Sequence, residues 1–247
     1  GKSVRLRERV LSHFSSDHQH TKEMKISQNI ASINCIETAG ELGALLLEAK
    51  LIKKELPVYN YRLRRYHRLV TIYWDIDGEH SLPFINTAKT IDPQKIDNHF
   101  GLFKTRKKAK EKLSQLAKDH QLCEKLLGLE TGKGKCFAYQ LKRCRGACIG
   151  QESEMQHRIR LMQALLPQRN QAWPYAGRIG IREISTDREK TDIHLFDHWC
   201  YLGTIQHEIQ LEQLKLFEDN NLMFDIDTYR ILTSYLKKTK RPDIIQL

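Results

Sequence analysis

The chain has 247 residues, 40% of them hydrophobic and 29% charged, which is enough apolar sequence for roughly one to three compact units. It contains no apolar run of about 18 residues and no charged n-region followed by an apolar h-region, so neither a membrane span nor a secretory signal is predicted. Its six cysteines are irregularly spaced, which favours free or metal-binding thiols in a cytoplasmic protein over a disulfide framework.

The net charge of +11 is concentrated in the first 150 residues, which carry 28 Lys or Arg against 16 Asp or Glu. Residues 101–150 alone hold 13 bases against 4 acids, whereas residues 151–247 hold 13 against 14. A basic surface confined to one part of a chain indicates an anionic partner, because counterions released from phosphates supply the affinity. Charge alone leaves DNA, RNA and a membrane surface open.

The first predicted element is a helix over residues 4–14, in which apolar side chains recur every four positions. Arg5, Arg9 and His13 recur at the same interval. Three potentially cationic side chains are therefore expected on one face of this helix.

A short strand over residues 33–37 is predicted next from its β-branched content, with Cys35 buried inside it as a small hydrophobe. A helix then follows Thr38, which is predicted to be its N-cap, with Glu41 completing a capping box. The helix is predicted to end near Lys54, because a proline soon follows and cannot continue it.

The remaining elements alternate between strand and helix patterns. Strands are predicted over residues 70–74, 82–86, 180–184 and 193–202, and helices over residues 105–120, 153–166, 208–217 and 227–237. Cys200 lies in an apolar stretch and is predicted to be buried. We therefore expect an α+β chain in three parts: a small sheet flanked by helices (residues 1–98), a basic helix with a cysteine segment (99–150), and a small α/β unit (151–247).

Glu48 is the first candidate for chemistry. It lies in a helical run, residues 44–52, that is apolar on most of its circumference, and a buried carboxylate needs a cation to satisfy it. An ion pair or a wet helix edge is one interpretation, and a ligand for a hard divalent cation is the other. Mg²⁺ takes only one or two protein carboxylates and keeps several waters, so a single glutamate is sufficient.

Four cysteines, Cys123, Cys136, Cys144 and Cys148, lie within 26 residues and can converge on one metal centre. The set has no Cys-x2-Cys pair, which argues against an ordinary zinc ribbon. Zinc, an iron–sulfur cluster and reduced structural cysteines that bind nothing all remain open.

A set of basic residues is predicted to contact duplex phosphates, although a solvated helix face is the alternative for any one of them. Such contacts position a nucleic acid without reading its sequence. The set consists of Arg5, Arg64, Arg65, Lys104, Arg106, Lys107, Lys108, Lys142, Arg143 and Arg145.

Two ordered stretches resemble the UvrC/Cho family of excision-repair endonucleases, and its short Cho branch in particular. The opening GKSVRLRERV is similar to the tail of the second tyrosine motif and the catalytic helix of a GIY-YIG nuclease. Residues 41–54, closed by Pro57-Val58-Tyr59-Asn60, are similar to the metal-binding helix and Tyr-Asn turn of the family. The resemblance covers residues 1–150 well, through Phe100-Gly101-Leu102-Phe103 and the cysteine segment, and the remainder more weakly.

The resemblance implies a GIY-YIG-type sheet whose first hairpin is missing, and a DNA endonuclease of nucleotide excision repair. It assigns one Mg²⁺ or Mn²⁺ ion to Glu48, charge stabilisation at the scissile phosphate to Arg9 and Lys2, and shaping of the site to Asn60. His13 stands where many family members carry tyrosine. The resemblance also implies a [4Fe–4S] cluster on the four cysteines, with zinc as the alternative, damaged double-stranded DNA as substrate, and a UvrB-like partner.

One departure concerns the two motif tyrosines of the family, whose positions lie upstream of Gly1. We therefore expect a fragment that begins inside a motif and is catalytically impaired as it stands. A metal-stabilised DNA-binding module without cleavage activity is one alternative. The C-terminal part of a larger fused repair or proofreading protein is another.

Overall fold

A computed structural model describes residues 1–15, 21–57, 69–78, 82–88, 91–206 and 224–247 of the chain. Its helices are α1 (Leu6–Ser15), α2 (Thr21–Asn29), α3 (Glu41–Glu55), α4 (Arg106–Asp119), α5 (Phe137–Gln140), α6 (Glu154–Leu165) and α7 (Ile226–Lys238). Its strands are β1 (Val70–Tyr73), β2 (Phe84–Thr87), β3 (His99–Phe103), β4 (Ile179–Ile184), β5 (Thr191–Asp197), β6 (Cys200–Ile205) and β7 (Asp243–Gln246). The fold is α+β, as predicted.

These elements form two compact units, one of residues 65–174 and one that joins residues 1–64 to residues 175–247. The predicted division into residues 1–98, 99–150 and 151–247 concerns functional parts and stays a prediction. No described helix has both the length and the apolar composition that a bilayer crossing requires.

The unit of residues 65–174 contains a three-stranded antiparallel sheet in the order β2-β1-β3. Its core includes Trp74, Phe100 and Leu113, each at most 1% exposed. Helix α4 is the predicted basic helix, and it begins after Thr105, whose hydroxyl accepts the N–H of Lys108. Helix α6 likewise confirms the helix predicted over residues 153–166.

The other unit contains a four-stranded sheet, antiparallel throughout, in the order β6-β5-β4-β7. The single strand predicted over residues 193–202 is wrong, because the chain reverses there and forms the β5–β6 hairpin. His198 and Trp199 make the turn in the left-handed region, at φ 44° and 68°, with no glycine to mark it. Cys200 is buried, as predicted. The helix predicted over residues 208–217 lies outside the described residues.

The strand predicted over residues 33–37 is also wrong. Residues 30–38 form neither helix nor strand, and Ile33, Cys35 and Ile36 are exposed rather than buried. β-branched residues stabilise a strand through neighbours in a sheet, and no described strand pairs with this segment.

Helix α3 begins and ends close to its predicted limits, but its predicted cap is wrong. Gly40 is the N-cap, and the hydroxyl of Thr38 donates to the Gly40 carbonyl instead of accepting a helix N–H. Leu56 ends the helix in the left-handed conformation, at φ 45°.

Candidate active site and cysteine metal centre

Glu48 lies at the edge of the buried face of α3. Leu46, Ala49 and Ile52 of the same helix are only 5–6% exposed, whereas 25% of the Glu48 side chain remains exposed. The carboxylate is therefore half-buried, with apolar neighbours on one side and an open side toward solvent.

The start of the described chain lies beside this carboxylate, with the backbone nitrogen of Gly1 3.6 Å from Oε1 of Glu48. Among the described residues, no Arg or Lys side chain forms an ion pair with Glu48. Among the residues that the structure describes, no group of three or more candidate ligand side chains includes Glu48. The donor set fits an ion that keeps most of its waters, as Mg²⁺ does.

Lys2 contacts the same side of α3. Its ammonium donates to the carboxylate of Glu41, which lies seven residues before Glu48 and hence on the same helix face. The hydrogen bond and the charge of Lys2 lower the pKa of Glu41. Gly1 and Lys2 therefore lie along the helix face that carries both carboxylates. The predicted phosphate contact of Lys2 stays a prediction.

Arg5 and Arg9 line an open cavity of about 460 Å³ at the start of α1. Arg5 makes an exposed ion pair with Glu8, at 3.4 Å. Arg9 has no carboxylate partner among the described residues, so its guanidinium is available to an anion. No described hydrogen bond or ion pair joins Arg9 to Glu48, and their predicted action on one phosphate stays a prediction.

The other predicted active-site residues are less constrained. His13 is half-buried in the last turn of α1. Asn60, Arg64 and Arg65 lie outside the described residues, so their roles stay predictions.

The four predicted cysteines converge in the unit of residues 65–174. The sulfurs of Cys123, Cys136 and Cys148 all lie within 4.8 Å of one another, and those of Cys123 and Cys136 are 3.9 Å apart. Cys144 packs in the same cluster of side chains, but its sulfur lies outside this group of three mutually close sulfurs. Within the described ranges, this is the only group of three or more candidate metal ligands.

Backbone N–H groups surround these sulfurs. The N–H of Gly146 donates to the sulfur of Cys144 at 3.3 Å. The N–H groups of Leu126, Tyr139 and Cys136 act to lower the pKa of Cys123, Cys136 and Cys148, respectively. Burial raises the pKa of the Cys123 and Cys136 thiols to about 11. Burial also raises the pKa of Cys148, but hydrogen bonds from the Cys136 N–H and from neighbouring thiols outweigh it and lower the pKa. Converging N–H donors stabilise thiolates, which are the form that binds a metal.

His157, which the sequence did not single out, anchors the cysteine segment to α6. Its buried imidazole Nε2 accepts the backbone N–H of Cys123 at 3.1 Å. Nearby, Glu152 and Arg160 form a buried ion pair, and Arg160 also donates to two carbonyl groups at the end of α4. A histidine at a buried position of an amphipathic helix, four residues before Leu161, was the available signal.

The seven predicted DNA-contacting side chains between residues 104 and 145 are all exposed. Local partners engage two of them: Lys108 pairs with Glu111 at 2.7 Å, and Arg145 donates to the side chain of Gln121 at 3.1 Å. The exposed set comprises Lys104, Arg106, Lys107 and Lys108 at the start of α4, and Lys142, Arg143 and Arg145 in the cysteine segment.

Three family models match the chain in succession. A UvrC-like GIY-YIG domain matches residues 1–61, the middle domain of UvrC/Cho excinuclease matches residues 71–166, and the excinuclease Cho C-terminal domain matches residues 178–247.

Curated relatives agree with these matches. Excinuclease Cho of Salmonella typhimurium (strain LT2) is 38% identical over 234 residues, covering 94% of this chain and 75% of that protein. Excinuclease Cho of Escherichia coli (strain K12) is 39% identical over the same shares. UvrABC system protein C of Acinetobacter baumannii (strain SDF) is 32% identical over 152 residues, covering 61% of this chain and 25% of that protein. No solved structure matches the chain.

Proposed function

This chain belongs to the UvrC/Cho excinuclease family and is a DNA endonuclease of nucleotide excision repair; from that premise we propose that it cuts one strand near a lesion with a divalent metal ion bound by Glu48. The observation that carries the proposal is the half-buried Glu48 carboxylate at the edge of the apolar, buried face of α3. A lone carboxylate is a suitable ligand for hydrated Mg²⁺ or Mn²⁺.

The proposed roles follow from the chemistry of each side chain. The bound ion would supply Lewis-acid stabilisation of negative charge on the phosphate. Arg9 binds the same phosphate, because a guanidinium stays charged and presents several N–H donors. Lys2 adds a point charge by exchanging its Glu41 partner for the phosphate. His13 of α1 and Asn60, which follows α3 in the sequence, complete the proposed site.

We propose that the exposed basic residues of α4 and of the cysteine segment hold the DNA duplex by its phosphates. Arg5, Arg64 and Arg65 make further phosphate contacts in this proposal. Phosphate contacts fix the register of a protein on DNA but carry no sequence information. The support is the concentration of 13 basic against 4 acidic residues in positions 101–150.

A UvrB-like protein is the proposed partner that delivers the damaged DNA. Contacts made only to phosphates do not distinguish a damaged strand from an intact one, so damage recognition has to come from another component. We expect cutting at the lesion to require DNA preloaded with such a partner.

For the cysteines we propose a structural metal centre. The family resemblance implies a [4Fe–4S] cluster, for which four thiolates are suitable ligands. Zinc is the second candidate, because the 3.9 Å between the Cys123 and Cys136 sulfurs is near the spacing expected for thiolates at about 2.3 Å from one tetrahedral ion. The iron and zinc content of anaerobically purified protein distinguishes the two.

A nicking assay on the complete gene product tests the proposal. Glu48→Gln keeps the size of the side chain but removes its charge, so nicking of a lesion-containing duplex in Mg²⁺ should fall by about a hundredfold or more. Glu55→Gln is the matched control, since Glu55 is an exposed residue of the same helix. Undiminished nicking by Glu48→Gln, or nicking by the wild type in excess chelator, would exclude the proposed metal role.

A further inference from the structure

Helix α3 has no capping side chain of its own, and its first N–H groups are satisfied from a distant strand. Its N-cap residue is Gly40. The N–H groups of Leu42 and Gly43 donate to the two carboxylate oxygens of Glu183 on β4, at 2.9 and 2.8 Å. Glu183 therefore performs for α3 the role that a local serine or aspartate performs at most helices.

Glu183 is held in turn by a network within the four-stranded sheet. His194 Nε2 lies 3.1 Å from Glu183 Oε2, and His194 Nδ1 lies 2.7 Å from the hydroxyl of Thr204, which contacts the Tyr201 hydroxyl at 2.5 Å. The side chains of His194 and Glu183 are 1% and 9% exposed. Burial raises the pKa of Glu183, but the hydrogen bonds from His194 and the two helix N–H groups outweigh it and lower the pKa. Glu183 is thus a fixed, fully hydrogen-bonded anion.

Two glycines make this contact sterically possible. A methyl group at position 40 would lie 2.4 Å from the carboxylate carbon of Glu183, and one at position 43 would lie 2.9 Å from Cε1 of His194. The residue before Gly40 is tied to the same sheet, because the carboxylate of Asp192 on β5 accepts the N–H of Ala39 at 2.8 Å. Gly40 and Gly43 therefore allow β4 and β5 to approach the backbone of α3 closely.

The opposite end of α3 is tied to the start of α7. The ammonium of Lys53 lies 2.5 Å from Asp225 and 2.9 Å from Asp227. Asp225 is itself the N-cap of α7 and accepts both the N–H and the hydroxyl of Thr228. Glu48 lies between these two attachment points.

We infer that Glu183, His194 and Asp225 are positioning residues for the cutting reaction, because they fix the axial position and the rotation of α3 and so place the Glu48 carboxylate. The inference rests on the proposed metal role of Glu48. A metal ligand has to be held within about 0.5 Å of its productive position. Apolar packing alone leaves a helix able to slide or turn, whereas hydrogen bonds and ion pairs at both ends do not.

Glu183→Gln tests the inference, since it places an amide N–H₂ against a helix N–H group that needs an acceptor. We expect the dissociation constant for Mn²⁺, measured without DNA from the electron paramagnetic resonance signal of free Mn²⁺, to rise by about tenfold. The Mn²⁺ concentration for half-maximal nicking should rise in parallel, and the amides of Leu42 and Gly43 should exchange hydrogen faster. Glu189→Gln, in the exposed β4–β5 turn, should change none of these values.

Lys53→Met provides a second variant that leaves the Glu183–His194 pair intact, and it should also weaken Mn²⁺ binding. If Glu183→Gln and Lys53→Met lower the melting temperature but leave the Mn²⁺ dissociation constant, the nicking midpoint and the amide exchange unchanged, the positioning role is overturned. If Glu48→Gln itself leaves Mn²⁺ binding and nicking intact, the proposed function fails instead, so the two failures are distinguishable.

Discussion

His99 and His157 are buried in the unit of residues 65–174, at 2% and 1% exposure. Burial lowers the pKa of His99 to about 4, against the opposing charges of Asp92 and Asp97, and it also lowers the pKa of His157. In the unfolded chain, the pKa of a histidine is at its ordinary value of about 6.5. As the pH falls below that value, the unfolded chain takes up protons before the folded chain does, so stability is lost.

Replacing His99 with phenylalanine should remove its share of this pH dependence. The stability of the wild type relative to His99→Phe should fall by up to about 3 kcal/mol between pH 7 and pH 4, as measured by urea unfolding. His120→Phe, at the half-buried end of α4, controls for the loss of a histidine. Wild-type and His99→Phe stabilities that run parallel across this pH range would contradict the assignment.

The residues of the candidate sites differ in how far the sequence reveals them. Glu48 and the four cysteines were predictable, because a carboxylate in an apolar helix and a cluster of thiols are chemically unusual within one short window. Glu183 was not, because its partner Leu42 lies 141 residues away and no local pattern records that contact. The predicted roles of Arg9, Lys2 and Asn60 come from family resemblance, and their geometry around a phosphate stays a prediction.

The basic start of α4 is an exposed surface that we propose contacts DNA phosphates. Lys107 and Lys108 are exposed in its first turns, and Lys108 pairs only with Glu111, at 2.7 Å, among the described acids. An exposed ion pair of this kind contributes little stability, so these lysines are free to contact phosphates.

The double reversal of Lys107 and Lys108 to glutamate should weaken DNA binding equally for all sequences. It should also flatten the dependence of log K on log salt by about 2, because two phosphate contacts are lost. The matched control reverses Lys237 and Lys238, two exposed lysines in the last turn of α7. An unchanged salt slope in the Lys107/Lys108 variant, measured by fluorescence anisotropy, would remove α4 from the DNA interface.

Helices were more predictable than strands in this chain. The apolar periodicity of α1, α3, α4, α6 and α7 extends over ten or more residues each, which makes it a strong local signal. The strands β3 and β7 have only 5 and 4 residues and depend on partners elsewhere in the chain, so the sequence did not reveal them. The strand predicted over residues 33–37 failed for the opposite reason. Its composition suits a strand, but none of the described strands pairs with it.

The chain forms one unit from a continuous segment and the other from two separate segments, residues 1–64 and 175–247. The cysteine centre belongs to the continuous unit, where Cys123 and Cys136 are fully buried and His157 ties them to α6. Loss of the metal should therefore destabilise residues 65–174 and leave the sheet β4–β7 largely protected.

Cys136→Ala tests this separation. The variant should lose its bound metal, and the unit of residues 65–174 should lose stability on the order of 5 kcal/mol. Hydrogen exchange followed by mass spectrometry should show faster exchange in α4 and α6 than in the wild type, with β4 and β5 unchanged. Cys35→Ser, at an exposed cysteine outside the cluster, is the control and should retain the metal. Retention of wild-type metal content by Cys136→Ala would contradict a four-cysteine centre.

The pairing of the two chain ends was not predictable from the sequence. It depends on contacts such as α3 with α7 and Glu183 with the start of α3, which join residues more than a hundred positions apart. Composition did reveal the contrast between a basic first part and a nearly neutral last part, because charge is additive along a chain whereas packing is not.

Anomalous X-ray scattering from crystals grown with Mn²⁺ would locate the metal ion itself. We expect one manganese peak about 2.1 Å from a carboxylate oxygen of Glu48, with water completing its coordination, and no such peak in Glu48→Gln. A manganese ion bound elsewhere with Glu48 uncoordinated, or the same peak in Glu48→Gln, would contradict the claim that this side chain holds the metal ion for strand cutting.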